Sequence, residues 1–549
     1  MMGSSGEGQP LATEADGDTC VAAALESPGS ARASLYVLQE RRDERKSLLR
    51  HSPWLVLLAI LIADSNRRTD PDLWGHLRFG QEFIVRRHLI DRDPYSYSAP
   101  GIAWHDYEWL AEVVMAAVYN LGGVLGLKLW KFVCTAITVT FIVDAEAETG
   151  ASFALQLPVL LLASLGLLLQ MQFRPQMFTF ALLAALLALL TRDNCRPRGA
   201  PLWLAIPLML LWVNLHAGFF VGVIALVVYS LTATVREIAS DEGWKRGAGR
   251  AAITIAAGAV TLVNPFGVAM WRAVARTLVQ PYTRGAIEEW QPTLTALISQ
   301  WRHGPSGIFV YLAFVLLVAG LAIAFIMSPS LRDLPLVAVA AVMSIGGWLS
   351  ARNMALAVIA VPAPLVAHLN LLAQRRCGKA SPAPESTTNR WVLIVLCAFV
   401  AIQGGLFSGR LALDAPYPAG AMEFMRDRGL YGNVLSEWGW GGYIIWHQAP
   451  RSKVFVDGRS DSVYPLAVIR DFLLFRFDLP GGARVLDSYP HDYVLIATSS
   501  PARRLMTGNH AWKLLYRDND ALLYARANAS ASKLTDRAVF GSNLDQGFP

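Results

Sequence analysis

Residues 307–327 have the sequence Gly307-Ile-Phe-Val-Tyr-Leu-Ala-Phe-Val-Leu-Leu-Val-Ala-Gly-Leu-Ala-Ile-Ala-Phe-Ile-Met327, which contains no charged side chain. A helix needs about 20 apolar residues to cross the hydrocarbon core of a bilayer. This stretch therefore predicts a transmembrane helix. Ten other apolar stretches, some of them shorter, extend the prediction to about eleven spans: 48–64, 127–143, 152–170, 175–191, 201–214, 217–235, 250–264, 333–350, 354–373 and 391–408.

The composition agrees with a polytopic α-helical membrane protein. Hydrophobic residues make up 54% of the 549 residues, charged residues only 16%, and the mean hydropathy is +0.36. A soluble domain usually has about a quarter of its residues charged. The net charge of +6 is small, so nucleic-acid binding, which needs basic residues clustered on one face, is not expected. None of the five cysteines has a CxxC spacing, so the cysteines indicate no zinc site.

The basic residues predict the orientation in the membrane. Residues 1–47 are expected to form a disordered cytoplasmic tail with a basic end. Counting spans from this tail places three basic loops inside, at 192–200, 236–249 and 374–390, as the positive-inside rule requires. One predicted inner loop departs from the rule, because it carries the acidic side chains Asp144, Glu146 and Glu148.

Two long loops and the C-terminal part are then expected outside. Within the predicted membrane domain 48–408, the first outer loop, 65–126, should contain two amphipathic helices near 73–87 and 107–121, and the second covers 265–306. Residues 409–549 alternate strand-like with helical runs, which is typical of an α/β domain. The strand-like runs are 433–436, 453–457, 493–497 and 522–526, and a helical run covers 462–475.

Ionisable residues gather at the outer ends of the predicted spans. Asp70-Pro71-Asp72 follows the first span, where the phosphate of a membrane lipid would lie. A carboxylate there can act as a general base or hold a divalent metal, and an arginine can bind a phosphate. The other polar residues at this side are His76, Arg78, Arg174, Asn214, His216, Glu288, Glu289, Arg352 and Asn353. This arrangement suits an anionic, lipid-linked substrate.

Several of these motifs resemble the membrane-embedded glycosyltransferases of the GT-C superfamily. The resemblance is carried by Asp70-Pro-Asp-Leu-Trp-Gly-His-Leu-Arg-Phe-Gly80, Asp93-Pro-Tyr-Ser-Tyr-Ser98, Trp104-His-Asp-Tyr-Glu-Trp-Leu110, Arg174-Pro-Gln176, Trp212-Val-Asn-Leu-His216, Asn264-Pro-Phe-Gly267 and Arg352-Asn353. It extends from about residue 50 to 526. It implies a fold with two helices along the membrane in the first outer loop, and sugar transfer from a polyprenyl-phosphate donor at the outer face.

The resemblance also implies roles for individual residues. Asp70 or Asp72 would be the catalytic carboxylate and, if Mg²⁺ or Mn²⁺ takes part, its ligand. His76, Arg78, Arg174, Asn214, His216, Arg352 and Asn353 would bind the substrate or its phosphate. Glu288 and Glu289, on the acceptor side, could supply the second acidic pair that is usual in an outer loop of the superfamily, and Asp144, Glu146 and Glu148 could do so only if the predicted topology were wrong.

A further similarity lies in the C-terminal part. Ser436-Glu-Trp-Gly-Trp-Gly-Gly-Tyr443 is similar to the Trp-Trp-Asp-Tyr-Gly signature of the oligosaccharyltransferase catalytic subunit. The candidates it adds on the acceptor side are Trp438, Trp440, Tyr443, Asp457 and Arg459. The aspartate of the signature is missing, because Gly439 and Gly441 flank Trp440. Transfer to Asn-x-Ser/Thr sites is therefore not implied.

Each candidate also has a structural interpretation. Asp70 and Asp72 could cap a helix, His105, Asp106 and Glu108 could cap the next one, and His76 and Arg78 could lie on a solvated helix face. Arg174 and Arg352 could extend to lipid headgroups, and Asn214 and His216 could satisfy backbone groups. Trp438, Trp440 and Tyr443 could be core aromatics, and Asp457 and Arg459 a strand-end ion pair.

Two functional hypotheses remain open. The first is a glycosyltransferase of the bacterial inner membrane that transfers a sugar from a polyprenyl-phosphate donor to an envelope acceptor, which could be a glycan, a lipid or a protein. The second is a non-catalytic scaffold or transport-like subunit of an envelope-glycan assembly system, because a fold does not determine an activity.

Overall fold

The computed structural model describes residues 68–168, 170–196, 200–239, 245–279, 288–303, 307–377, 412–413 and 417–528. The predicted tail 1–47 and the predicted spans 48–64 and 391–408 lie outside these residues. The described residues form a helical membrane part and a C-terminal α/β part.

Helices make up most of the chain before residue 377. In chain order they are α1 (Leu73–Arg86), α2 (Trp109–Glu148), α3 (Phe153–Leu167), α4 (Gln176–Cys195), α5 (Ala205–Leu215), α6 (Phe219–Ala239), α7 (Lys245–Ala259), α8 (Val268–Val279), α9 (Thr293–His303), α10 (Ile308–Met327), α11 (Leu334–Leu349), α12 (Met354–Ala360) and α13 (Pro362–Cys377). Each predicted span within the described residues overlaps one of these helices or the pair α12–α13.

Four of the described helices, α2, α4, α6 and α10, are long and apolar enough to cross a membrane. The pair α12–α13 is bent by 45° and brings the number to five if it forms one span. The helices α3, α5 and α11 are apolar but shorter. The prediction of a polytopic helical protein is confirmed in this form, whereas the number of eleven spans is not.

One side of α2 carries exposed apolar side chains at four-residue spacing. Leu125, Leu129, Val133 and Ile137 are 37%, 44%, 50% and 40% exposed, respectively. Residues four apart lie on one face of a helix, so these side chains form a continuous apolar stripe. Soluble monomers rarely expose such surfaces, whereas contact with lipid tails explains the stripe.

The described part of the segment 65–126, which keeps the name first outer loop from its prediction, contains the two helices that its sequence predicts. The first is α1, and the second is the beginning of α2, which breaks at Gly123. Gly123 has φ +55° and ψ −141°, a backbone conformation that residues with a Cβ atom rarely adopt. The break separates the helix along the loop from the part of α2 that enters the apolar bundle.

The acidic residues in the last turns of α2 and the basic residues at the end of α4 lie at the same end of the bundle. Arg192 pairs with Asp144 at 2.6 Å and with Glu148 at 3.3 Å, and Arg196 pairs with Glu148 at 3.0 Å. Asp144 and Glu148, two of the three acidic residues that departed from the positive-inside pattern, therefore neutralise neighbouring arginines, whereas the side chain of Glu146 is buried. The span count that places both loops on one side agrees with these contacts.

The C-terminal part contains a mixed five-stranded sheet with strand order β4-β3-β5-β7-β6. Its elements are α14 (Ala419–Asp427), β3 (Asn433–Ser436), α15 (Gly441–Gln448), β4 (Lys453–Val454), α16 (Leu466–Arg476), α17 (Gly482–Ser488), β5 (Tyr493–Ala497), α18 (Arg503–Met506), β6 (Trp512–Arg517) and β7 (Ala521–Arg526). Strand β3 is parallel to β4 and β5, and β7 is antiparallel to β5 and β6. The α/β prediction is confirmed, and β6 is a strand that the sequence analysis missed.

The C-terminal part is joined to the first outer loop by backbone pairing. Two short strands, β1 (Arg68–Thr69) and β2 (Ala412–Leu413), pair in parallel. The loop segment 95–98 lies along the edge strand β4, where the Val454 amide donates to the Tyr95 carbonyl at 2.9 Å and the Tyr97 amide donates to the Val454 carbonyl at 3.2 Å. The Tyr97 hydroxyl also donates to Nδ1 of His491 at 2.5 Å. These contacts hold the carboxyl ends of β3 and β4 next to α1.

Candidate active-site cavity

A cavity of about 370 Å³ lies where the first outer loop, several helix ends and the C-terminal sheet meet. The segments after β3 and β4 reach it from the carboxyl ends of parallel strands, the place where α/β sheets commonly bind ligands. Nine of the sixteen predicted site residues line the cavity: Asp72, His76, Arg174, His216, Glu289, Arg352, Trp438, Asp457 and Arg459. Residues from distant parts of the chain thus line one cavity.

Arg174 forms the centre of a charge cluster on one wall. Its Nε lies 2.5 Å from Asp70, its Nη1 lies 2.8 Å from Glu289, and its Nη2 lies 3.6 Å from Asp72. Arg352 lies 3.6 Å from the same Glu289 oxygen as Arg174. Despite burial, the two arginines hold the pKa of Glu289 below its usual value. Two guanidinium groups on one carboxylate oxygen make a place where a phosphate could replace the carboxylate.

The two aspartates of the first loop have different environments. The side chain of Asp70 is 4% exposed, and its Oδ1 accepts the Asp72 amide at 2.9 Å. The side chain of Asp72 is 32% exposed and lines the cavity. Burial and the neighbouring Asp70 carboxylate raise the pKa of Asp72 to about 6, although Arg174 acts in the opposite direction. Asp70 therefore anchors Arg174, while Asp72 can exchange a proton near neutral pH.

Gly458 brings the C-terminal part against Asp72. A Cβ atom at position 458 would lie 1.9 Å from Oδ1 of Asp72. Any side chain there would have to displace the carboxylate. The glycine after Asp457 therefore permits the close approach of the β4 segment to the first outer loop.

A second polar group joins α1 to the beginning of α2 and the turn before α6. Nδ1 of His76 lies 2.7 Å from Glu112 and 3.8 Å from Glu108. Nε2 of His216 lies 3.2 Å from the other Glu108 oxygen. Burial acts to raise the pKa of Glu108, but the hydrogen bond from His216 outweighs burial and lowers this pKa to about 2. Sequence reasoning missed Glu112, although it lies one helical turn after Glu108 and on the same helix face.

Arg459 is buried in an aromatic and acidic enclosure. It pairs with Asp93 at 2.6 Å and with Asp457 at 2.7 Å, and its side chain is 6% exposed. The guanidinium also lies 4.8 Å from the ring centre of Trp104. The structural interpretation of Asp457 and Arg459 as an ion pair agrees with these contacts, and Asp93 extends the pair to the first outer loop.

Several predicted site residues do not line the cavity. The Asn214 amide donates to the carbonyl groups of Leu210 and Val263, as its structural interpretation predicts. Arg78 pairs with Glu82 at 3.0 Å. Trp440 is buried, and Tyr443 packs against Trp74 with ring centres 4.8 Å apart. Asn353 lies outside the lining, and the side chain of Glu288 lies outside the part of the chain that the structure describes.

A smaller cavity of about 150 Å³ adjoins the first one and shares Arg174, Gln176, Glu289 and Arg352 with it. Its other polar lining consists of Gln170, Gln172, Gln300 and Tyr311. The sequence analysis named none of these residues, because isolated glutamines carry no motif. Their common feature is an uncharged hydrogen-bonding group, which matches hydroxyl-rich ligands.

The predicted metal ligands Asp70 and Asp72 face a guanidinium. Arg174 pairs with both carboxylates, so a divalent cation between them would have to displace the arginine or lie beside a fixed positive charge. This arrangement does not fit a metal held by Asp70 and Asp72. The structure offers a different group of metal-ligating atoms, from His76, Glu108 and Glu112.

The fold is similar to that of solved oligosaccharyltransferases. AglB from Archaeoglobus fulgidus, in complex with an inhibitory peptide and a dolichol-phosphate, matches with a TM-score of 0.51 and 14% identity over 82% of this chain and 70% of that chain. An apo oligosaccharyltransferase of that organism matches with a TM-score of 0.50 and 12% identity over 87% of this chain and 74% of that chain. No protein-family model and no curated protein matches the sequence. The predicted resemblance is thus confirmed for the fold, which is similar to that of these oligosaccharyltransferases.

Proposed function

We propose that this GT-C-fold chain is a glycosyltransferase that takes a sugar from a polyprenyl-phosphate donor. The observation that carries the proposal is the position of Asp72, which is accessible from the cavity beside the paired guanidinium groups of Arg174 and Arg352. A structure of the same fold holds a dolichol-phosphate, which supports a lipid phosphate as the ligand class.

Asp72 would act as the general base. Its carboxylate would take the proton of an acceptor hydroxyl, and the hydroxyl oxygen would attack the anomeric carbon of the donor sugar. The bond between that carbon and the phosphate oxygen would break, and the polyprenyl phosphate would leave with the electron pair. Attack from the side opposite the phosphate inverts the anomeric configuration. A pKa of about 6 leaves Asp72 ionised at neutral pH and still basic enough to share a proton.

Arg174 and Arg352 would hold the phosphate of the donor. Both line the two cavities, and both contact the same oxygen of Glu289. Arg174 is fixed by Asp70, whereas the contact of Arg352 with Glu289 is long, at 3.6 Å. The departing phosphate would replace Glu289 as the partner of Arg352 and would be stabilised as its negative charge grows.

The smaller cavity suits the donor sugar. Its volume of about 150 Å³ is less than half the volume of the larger cavity, so the smaller cavity is assigned to the single donor sugar. Gln170, Gln172 and Gln300 offer amide donors and acceptors for hydroxyl groups. The acceptor would enter the larger cavity, whose wall includes Trp438 and the segment after β4.

The sidedness and the domain limits belong to the proposal. The membrane domain would extend over residues 48–408, and the C-terminal domain 409–549 would lie outside the cytoplasm, together with the two outer loops. The cavity would then be at the outer face of the bacterial inner membrane, where an envelope acceptor is available.

The decisive experiment measures sugar transfer in proteoliposomes. Purified protein would be supplied with radiolabelled polyprenyl-phosphate sugars and a total envelope extract as acceptor. We expect transfer by the wild type, none by Asp72→Asn, and unchanged transfer by the control Glu423→Gln on the exposed surface of α14. Binding of polyprenyl phosphate without transfer to any acceptor class would instead favour the non-catalytic scaffold.

A further inference from the structure

We propose that His76, Glu108 and Glu112 form a binding site for a divalent transition-metal ion such as Mn²⁺ or Zn²⁺. The site lies in the wall of the cavity, and His76 is one helical turn from Asp72. Binding of the cation does not depend on the proposed function, but a role of the cation in sugar transfer rests on it. Asp70 and Asp72, which the sequence suggested as metal ligands, are not part of the site.

The donor atoms of the three residues have metal-site spacing. One ligand atom from each residue lies within 4.8 Å of the other two. Metal bonds of about 2.0–2.2 Å to nitrogen and oxygen place neighbouring ligand atoms about 3–4.5 Å apart. Nδ1 of His76 lies 2.7 Å from Glu112 and 3.8 Å from Glu108, so small side-chain rotations would complete the geometry.

An unsatisfied buried atom points to a missing ligand. Glu112 is 3% exposed, and among the described residues its Oε2 has no hydrogen-bond partner apart from the acidic side chain of Asp106. A buried carboxylate oxygen without a partner is costly, because water no longer solvates it. Burial and the neighbouring Glu112 raise the pKa of the Asp106 carboxyl group well above its usual value, so Asp106 brings no positive charge to Glu112. A cation would satisfy this oxygen and offset the excess of carboxylates.

The surroundings orient Glu108 for such a role. Nδ1 of His216 accepts a hydrogen bond from the Gly218 amide at 2.8 Å, so the proton of this imidazole is on Nε2. That Nε2 donates to Oε1 of Glu108 and leaves Oε2 directed at His76. A hydrogen-bonded outer partner of this kind is typical of metal-ligating carboxylates.

The ligand chemistry selects the metal class. One imidazole nitrogen with two carboxylates suits Mn²⁺ or Zn²⁺, whereas Mg²⁺ prefers an all-oxygen environment. All three residues line the cavity, so the remaining coordination positions face the space where the substrate would bind. A bound cation could thus contact a substrate oxygen close to Asp72.

The site can be tested by metal binding alone. Full-length protein in nanodiscs would be treated with a chelator, exchanged into metal-free buffer and titrated with Mn²⁺, with the bound ion counted by electron paramagnetic resonance. We expect one equivalent for the wild type and for the control Glu82→Gln, whose carboxylate pairs with Arg78 and Arg86 on α1. His76→Gln and Glu112→Gln should each weaken binding at least 100-fold, and His216→Ala about tenfold.

Two further readouts keep the proposal falsifiable if a variant folds poorly. Wild-type protein with Mn²⁺ should show nitrogen-14 coupling from an imidazole in the pulsed spectrum. Mn²⁺ at 100 times its Kd should also stabilise the wild type and not the His76 and Glu112 variants. Absence of nitrogen coupling, or uptake that is lost in Asp70→Asn but not in His76→Gln, would overturn the site and leave the transferase proposal to be judged by its own assay.

Discussion

Asp72 combines access from the cavity with a shifted pKa, two properties that occur together mainly in functional residues. It is open to the cavity, and burial and Asp70 raise its pKa to about 6. Because the pKa is raised in the folded state, the ionised form lowers stability above pH 6, and this penalty disappears below the unfolded pKa near 4. A charge retained at a cost to stability is typical of catalytic groups.

Replacing Asp72 should therefore separate stability from activity. Asp72→Asn is expected to abolish transfer and to raise Tm at pH 8, with little change in Tm at pH 4. The wild-type transfer rate should fall as pH decreases through about 6, because the base becomes protonated. Differential scanning fluorimetry and a pH–rate profile test both effects. A lower Tm for the variant at pH 8 would contradict the strained-charge interpretation.

Arg352 should contribute mainly to donor binding. Arg352→Gln removes one charged partner of the phosphate, and a charged hydrogen bond contributes about 1.5–3 kcal/mol, so the Kd for polyprenyl phosphate should rise about 10–100-fold. Native mass spectrometry of the lipid complex measures this change. Arg375, at the far end of the bent pair α12–α13, provides an arginine control, and Arg375→Gln should leave the Kd unchanged.

Among the elements, α2 depends most visibly on one residue. Gly122 and Gly123 are adjacent, but only Gly123 has a positive φ. Gly123→Ala should destabilise the protein by about 1–3 kcal/mol, because φ +55° with ψ −141° is a backbone conformation that residues with a Cβ atom rarely adopt. Gly122→Ala has open space around its Cβ atom and should be neutral or stabilising by up to about 1 kcal/mol. Equal effects of the two substitutions on chemical unfolding would show that the break is not required.

The segments after β3 and β4 offer a second matched pair of glycines, Gly439 and Gly458. Gly458→Ala would force a Cβ atom against Asp72, whereas the nearest atom to a Cβ at Gly439 is 3.5 Å away, an ordinary contact. Both glycines line the cavity. We expect Gly458→Ala to lose at least 90% of transfer activity and Gly439→Ala to retain most of it. Loss of activity in both variants would indicate a narrow acceptor passage instead.

For the molecule as a whole, Arg459 connects two parts that are distant in sequence. It joins Asp93 of the first outer loop to Asp457 in the segment after β4, away from solvent. Arg459→Met should destabilise the protein by about 3–5 kcal/mol, because two buried carboxylates lose their partner. The exposed Arg426 pairs with Glu423, and Arg426→Ala should change stability by less than about 1 kcal/mol. Hydrogen exchange of β4 and of residues 95–98 would locate the loss.

The orientation of the whole molecule is also testable. In a cysteine-free background, Arg504→Cys on the C-terminal part and Leu331→Cys between α10 and α11 are both exposed positions. A membrane-impermeant maleimide added to intact cells with a permeabilised outer membrane should label position 504 and not position 331. The reverse pattern would place the C-terminal domain in the cytoplasm.

Much of the fold could be predicted from local sequence. Apolar length predicts the helices in lipid, because every backbone polar group there must be satisfied within its own segment. Alternating strand and helix patterns likewise predict the α/β part, and the long stretch between the predicted spans 48–64 and 127–143 indicates the first outer loop. The motifs also indicated nine of the residues that line the cavity. Strand β6 was missed, because its apolar residues do not alternate regularly.

The contacts among the residues of the cavity can be read only from the folded structure. No local pattern shows that Arg174 lies between Asp70 and Glu289, that Glu112 faces His76, or that Arg459 reaches Asp93. Each of these pairs joins residues more than 30 positions apart. Their meeting depends on how helices and strands pack, which local propensity does not encode. The sequence thus indicates which groups are available for chemistry, and packing assigns each group its neighbour and therefore its charge state.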